Sequence, residues 1–241
     1  MAKKDSDIVR RLFPGRAAEY DQRVHDICWY SQSVSFVGVQ PDESRGLIRR
    51  MDDDLYGGVL PTKISARDIM ESLRPGESFF ESVKKSIIDR IDEINKDEGN
   101  DVELFSRVLP EDLTSFKRGL KERCKAASVQ SDPGIVLHVS EIEEALRVPR
   151  NERRKFLSLL LALCERNEYH IVTALYSRVP IPWLEWDTEM PRGMTVASRV
   201  LTTTSVIRRC RIGELERLVP DLPSNVVDKI RAALLRKADN T

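Results

Sequence analysis

Ser33-Val34-Ser35-Phe36-Val37-Gly38-Val39-Gln40-Pro41-Asp42-Glu43-Ser44-Arg45-Gly46-Leu47-Ile48-Arg49-Arg50-Met51 is the stretch on which the fold turns. A short apolar run ends in glycine, a polar turn follows, and a helix-like segment begins near Gly46. Such a strand-turn-helix junction is the opening unit of a parallel α/β sheet, in which functional groups collect at the carboxyl ends of the strands.

A phosphate-holding loop at such a junction reads GxxxxGK[ST]: the lysine grips the outer phosphates while N–H groups at the helix start cradle them. Gly38 matches the first position. Glu43 then stands for the second glycine, Ser44 for the lysine and Arg45 for the magnesium-binding hydroxyl. A glutamate in the cradle repels the anion it should hold. Two readings stand: a phosphate loop emptied of its chemistry, or an ordinary strand-to-helix turn.

Further along, the segment 7–30 reads as mostly helical and delivers the chain into the first strand. The segment 59–65 reads as a second strand, although Pro61 argues for a strand edge. Amphipathic spacing predicts a helix from Phe79 through Ile91, and another helix covers 113–127. The run 134–139 and the run 169–176 are continuous apolar segments, the pattern of strands covered on both faces, with a strong helix over 150–166 between them. A weaker strand is expected at 204–212. The alternation predicts an α/β protein, a mainly parallel sheet with helices on both faces, and a short C-terminal helical stub split by Pro220 and Pro223. The organisation reads as an N-terminal helical segment at 1–32, an α/β core at 33–212 and the stub at 213–241.

The chain of 241 residues carries 39 Lys+Arg and 39 Asp+Glu, so no global field draws it to nucleic acid or an anionic membrane. With 41% hydrophobic residues, it is no disordered chain. The longest apolar run, Phe156 to Cys164, is too short for a membrane span. Cys28, Cys124, Cys164 and Cys210 form no CxxC pair, and no signal-like apolar N-terminus is present, so reduced thiols and a cytoplasmic location are expected.

The order of these features resembles the core of AAA+ and STAND-type P-loop ATPases. The carriers are Phe13-Pro14-Gly15-Arg16-Ala17-Ala18-Glu19, the strand ending at Gly38, Leu47-Ile48-Arg49-Arg50, then Val136-Leu137-His138-Val139-Ser140-Glu141, and the strand ending near Ser177. The resemblance implies a P-loop NTPase-like fold with degenerate Walker A and Walker B motifs. Ser140 stands where the family has a magnesium-positioning aspartate, and Glu141 matches the glutamate that polarises water. Without the metal anchor and the lysine, that glutamate has nothing aligned to attack. The alternative for Ser140-Glu141 is a helix N-cap followed by acids that favour the helix dipole.

Other candidates are few. His138 and His170 lie on strands, with Cys210 a conceivable third ligand, but the spacing marks no metal site, and neither a metal nor a cofactor is expected. A nucleophile elbow of the GxSxG kind is absent. Arg147, Arg150, Arg153, Arg154 and Lys155 form a basic segment that reads either as a phosphate, nucleic-acid or partner contact or as a solvated helix start. Arg208, Arg209 and Arg211 form a second basic group. Trp183 and Trp186, stiffened by Pro180 and Pro182, read either as a partner-docking loop or as rings closing the core.

The reading is therefore a non-hydrolysing ATPase-like subunit that docks on an active ATPase, on itself or on a nucleic-acid-processing complex. One alternative is an atypical nucleotide hydrolase using Glu141 with Arg45 or Arg49. Another is a nucleic-acid-binding adaptor using the basic segment.

Overall fold

In the computed structural model, residues 22–27, 30, 32–54, 60–97, 112–126, 135–165, 171–191, 193–202, 223–228 and 232 are described. Strand β1 (Val34–Val37) is followed by helix α1 (Pro41–Asp54), β2 (Leu60–Ser65) and α2 (Ala66–Ser72). Next come α3 (Phe79–Asp97), α4 (Leu113–Ala126) and β3 (Ile135–Ser140). A 3-10 helix (Ile142–Arg147) precedes α5 (Arg150–Cys164), β4 (Ile171–Ser177), the one-turn α6 (Ile181–Leu184) and β5 (Leu201–Thr202).

The strands form one five-stranded sheet in the order β2-β3-β4-β1-β5, with every pairing parallel. Successive side chains on a strand point to opposite faces, so β3 and β4 feed two cores at once. Ile135, Leu137, Val139, Ile171 and Leu175 meet α3, α4 and α5 in the larger core. Val136, Val172, Ala174 and Tyr176 turn to the other face and meet Leu47, Ile48 and Met51 of α1. Val24 and Ile27, in the helical stretch 22–27, complete that smaller core.

Pro61 is accommodated because, among the described residues, β2 lies at the sheet edge and pairs with β3 alone. Strand β5 is Leu201–Thr202, paired with β1 through Val34 and Ser35, and the strand expected at 204–212 lies outside the described residues. So do the segment 13–19, His170, Cys28, Cys210, the arginines at 208, 209 and 211, and most of the C-terminal stub, of which only 223–228 and 232 are described.

Two helix starts are also corrected. Helix α1 begins at Pro41, five residues before the expected Gly46. The physical reason is local: proline at the first helical position loses an N–H that would have no partner anyway, and Asp42 and Glu43 suit the positive end of the helix dipole. Ser140 does not cap a helix. It is the last residue of β3, its hydroxyl donating to the Ile64 carbonyl at 3.4 Å, and a 3-10 helix with no side-chain cap follows Glu141.

Candidate functional site

The junction after β1 is tight. Gly38 takes φ 75°, the left-handed region that glycine enters without penalty, and Val39 N–H donates to the Ser177 carbonyl at 3.1 Å. This pins the turn to the end of β4. Because α1 starts at Pro41, Glu43, Ser44 and Arg45 belong to the helix rather than to a loop that could wrap a phosphate. Glu43 Oε2 reaches back and accepts from Gln40 N–H at 3.3 Å, one half of a capping box, so the helix start is covered by the chain's own carboxylate. Ser44 is buried, its hydroxyl donating to the Pro41 carbonyl at 2.8 Å. Arg45 points to solvent and pairs with Asp42.

Beyond β3 and β4 the arrangement is closed. Glu141 sits at φ 56°, a strained setting for a non-glycine residue, roughly 1 kcal/mol above the ordinary helix region. Its carboxylate accepts from the Ser65 hydroxyl at 3.0 Å and pairs with Arg67 Nε at 3.2 Å. Ser65 simultaneously caps α2, accepting from Asp68 N–H at 3.1 Å. The next acids, Glu143 and Glu144, are buried and held by Arg178, which follows β4. Arg67 and Arg147 also pair with Glu144, at 3.3 and 2.6 Å. Burial pushes the Glu143 carboxyl up; the adjacent Arg178 guanidinium opposes that rise without cancelling it.

A third cluster crosses the smaller core. His138 is fully buried in β3, with Nδ1 3.0 Å from the Tyr176 hydroxyl. Burial raises the Tyr176 phenol well above its usual range, so it stays protonated, and the direction of its bond with Nδ1 follows the imidazole tautomer. Nε2 faces Asp52 Oδ1 at 3.3 Å in a contact too bent for a well-formed hydrogen bond. Asp52 also pairs with Lys63. Burial alone would lift the Asp52 carboxyl, but His138 and Lys63 together hold it below its usual value, while burial keeps His138 neutral.

Between α1 and the carboxyl ends of β2 and β3 opens a cleft of about 420 Å³. It brings together five of the residues singled out from sequence: Ser44, Arg45, Arg49, Ser140 and Glu141. Gly38 and Glu43 do not line it. Sequence reasoning missed Lys63, Ser65, Ser86 and Arg90, which also line it. The i, i+4 spacing of Ser86 and Arg90 on the predicted amphipathic helix was the available signal.

The remaining candidates lie elsewhere. Arg153 is buried against Asp187 with its guanidinium 5.6 Å from the Trp186 ring, Arg150 pairs with Glu189 at 2.7 Å, and Lys155 pairs with Glu152 at 3.3 Å. With Arg147 on Glu144, four of the five basic residues face the chain's own carboxylates, and Arg154 is exposed with no carboxylate partner among the described residues. Trp183 is 7% exposed within the larger core, and Trp186 packs on that core half-buried. Ile181 and Leu184 on the same turn are buried beside Trp183. Cys164 is buried, its thiol pushed up to about 12 by the apolar surroundings, and is inert as a nucleophile. Among the described residues no group of three His, Cys, Asp or Glu side chains is placed to hold a metal ion, and no helix is long and apolar enough to cross a membrane.

A parallel sheet with helices on both faces, and a glycine-ended strand feeding a helix from within that sheet, define a doubly wound α/β fold. No family model and no curated protein matches the chain. Among solved structures, a Walker-type ATPase of Pyrococcus abyssi is similar at 12% identity and a TM-score of 0.49, over 87% of this chain and 61% of that one. The chain thus spans less than two thirds of that protein's length.

Proposed function

We propose that the protein is a non-hydrolysing, ATPase-like structural or regulatory subunit. The observation that carries this is the closed charge network beyond β3 and β4. Glu141, which the resemblance aligns with a water-activating glutamate, accepts from Ser65 through Oε2 and pairs ionically with Arg67 through Oε1, and the acids behind it are paired with Arg67, Arg147 and Arg178. A general base must be free to accept a proton from water lined up on a phosphorus, and this one is already engaged. With Glu43 over the helix start and no lysine at Ser44, the cradle and the base are disabled separately.

Removing turnover leaves shape and surface charge for a protein partner to read: an active ATPase, a second copy of the chain, or a nucleic-acid-processing complex. Phosphate release from ATP with magnesium tests the reading, measured on the wild type and on Glu141→Gln. Both are expected at background. The docking role is tested by adding the protein to the ATPase that co-purifies with it, whose turnover is expected to change.

A second reading is an atypical nucleotide hydrolase, favoured by the placement of Arg45, Arg49 and Glu141 around one cleft. Turnover that is lost in Glu141→Gln establishes it in place of the first.

A further inference from the structure

From the cleft between α1 and α3 we infer a binding site for a sugar phosphate, free or as part of a nucleotide, held without a metal ion. The argument starts from two helices. Arg45 and Arg49 are four residues apart on α1, and Ser86 and Arg90 are four residues apart on α3, so each pair shares one helix face. Both pairs line the same cleft. Lys63, from the edge strand, adds a further cation.

These cations are available. Arg49 is exposed and has no carboxylate partner among the described residues. Among the described residues Arg45 and Arg90 pair with Asp42 and Glu93, neighbours three residues away on their own helices, and all four side chains are more than half exposed. Exposed pairs of this kind are weak and screened by water, so a phosphate that offers two guanidiniums a bidentate contact displaces them readily. Lys63 is half-exposed and shares Asp52 with the buried His138.

The opposite wall has different chemistry. At the ends of β2 and β3, the exposed Asp68 presents its carboxylate to the cleft, while Ser65, Ser140 and Glu141 line the same wall with their polar groups engaged within the protein. Carboxylates there repel a phosphate but accept from the hydroxyls of a sugar, which fixes the ligand's orientation: phosphate toward α1 and α3, ring hydroxyls toward the strand ends. Ile48, Ile64 and Ile69 give an apolar floor. A volume of about 420 Å³ suits one small molecule rather than a peptide or a nucleic-acid strand. Pro41 and Ser44 of the helix start border the site, but its cations come from further along α1, from β2 and from α3, so it does not depend on the missing phosphate loop. Turnover assays decide the proposed function, whereas binding decides this inference.

Isothermal titration of the full chain in EDTA with ribose 5-phosphate, AMP and inorganic phosphate provides the test. At least one of the two sugar phosphates is expected to bind, more tightly than inorganic phosphate and more weakly as salt rises, and the preference between the two identifies the source. Arg49→Ala and Arg90→Ala are each expected to weaken binding at least tenfold. Arg154→Ala, on an exposed helix position away from the cleft, leaves it unchanged. Since these three arginines are exposed, the variants fold, and a matching thermal melt verifies it. The inference is overturned if neither sugar phosphate binds, if inorganic phosphate binds equally well, or if both cleft variants retain wild-type affinity.

Discussion

The end of β1 and the ends of β3 and β4 lie side by side on one sheet and are built in opposite ways. Past β1, the chain turns at Gly38 and sends Arg45 and Arg49 outward, with guanidiniums that are unpaired or only loosely paired. Past β3 and β4, three acids and three arginines are drawn inward and consume one another. One end keeps charge to offer a ligand; the other has used its charge for structure. Phosphoryl transfer needs both ends to address one substrate at once, through a cation on the phosphates and a base on the water. On this difference rests the proposal that the protein does not hydrolyse nucleotide.

The largest expected effect tests the closed end. Arg178→Ala strands Glu143 and Glu144 as buried, under-compensated acids, and loss of one partner of a buried pair typically costs about 3–5 kcal/mol. Urea unfolding measures it. The pH dependence has a definite sign. A carboxyl whose folded pKa lies above its unfolded one contributes stability that is fully present below the unfolded value, near 4.5 for Glu143, and is lost as pH rises. Removing Arg178 exaggerates this, so the deficit is expected to grow from pH 5 to pH 8. A deficit under about 1 kcal/mol would mean that the end is not closed in solution.

The next test sits between the two ends. Burial lowers the folded pKa of His138, so its contribution is fully present above the unfolded value, near 6.5, and is lost as pH falls below it. The unfolded chain then binds the extra proton, giving a slope approaching about 1.4 kcal/mol per pH unit. His138→Gln, which keeps a polar group near Tyr176, is expected to flatten that slope between pH 6.5 and 5. An identical slope in both proteins removes His138 as its source.

Smaller effects belong to the open end. Gly46 lies inside α1, and a Cβ added there meets nothing within 4 Å. Gly46→Ala is therefore expected to stabilise the protein by about 0.5–1 kcal/mol, read as a higher urea midpoint at an unchanged slope. Destabilisation would show that the helix does not extend back to Pro41. Smallest of all, Asp42→Ala should change stability by no more than about 0.5 kcal/mol, since the Arg45 pair is open to water.

Much of the frame was legible because it rests on periodicity. The apolar runs around Val136 and Val172 could only be strands covered on both faces, and the spacing of Phe79, Val83, Ile87 and Ile91 could only be a helix packed on a core. The start of α1 was readable too, from Pro41 with Asp42 and Glu43, but the phosphate-loop pattern competes for the same residues and places the helix at Gly46 instead. What sequence could not supply was pairing across the fold. Arg178 meets Glu143 and Glu144 from 35 and 34 residues away, and Glu141 meets Ser65 from 76. No local spacing encodes those meetings. The cleft was half legible: its α1 residues stood in the motif, whereas Lys63 and Arg90 reach it only through the tertiary fold, Lys63 from the edge strand β2 and Arg90 from α3 on the other face of the sheet.

The most direct measurement is a crystal structure of the protein with magnesium and a non-hydrolysable ATP analogue at saturating concentration. The account predicts that Glu43 still accepts from Gln40 N–H and that no triphosphate occupies the backbone beside Gly38. A triphosphate with its magnesium ion seated on the N–H groups from Gly38 to Ser44, with Glu141 released from Arg67 toward the terminal phosphate, would contradict it.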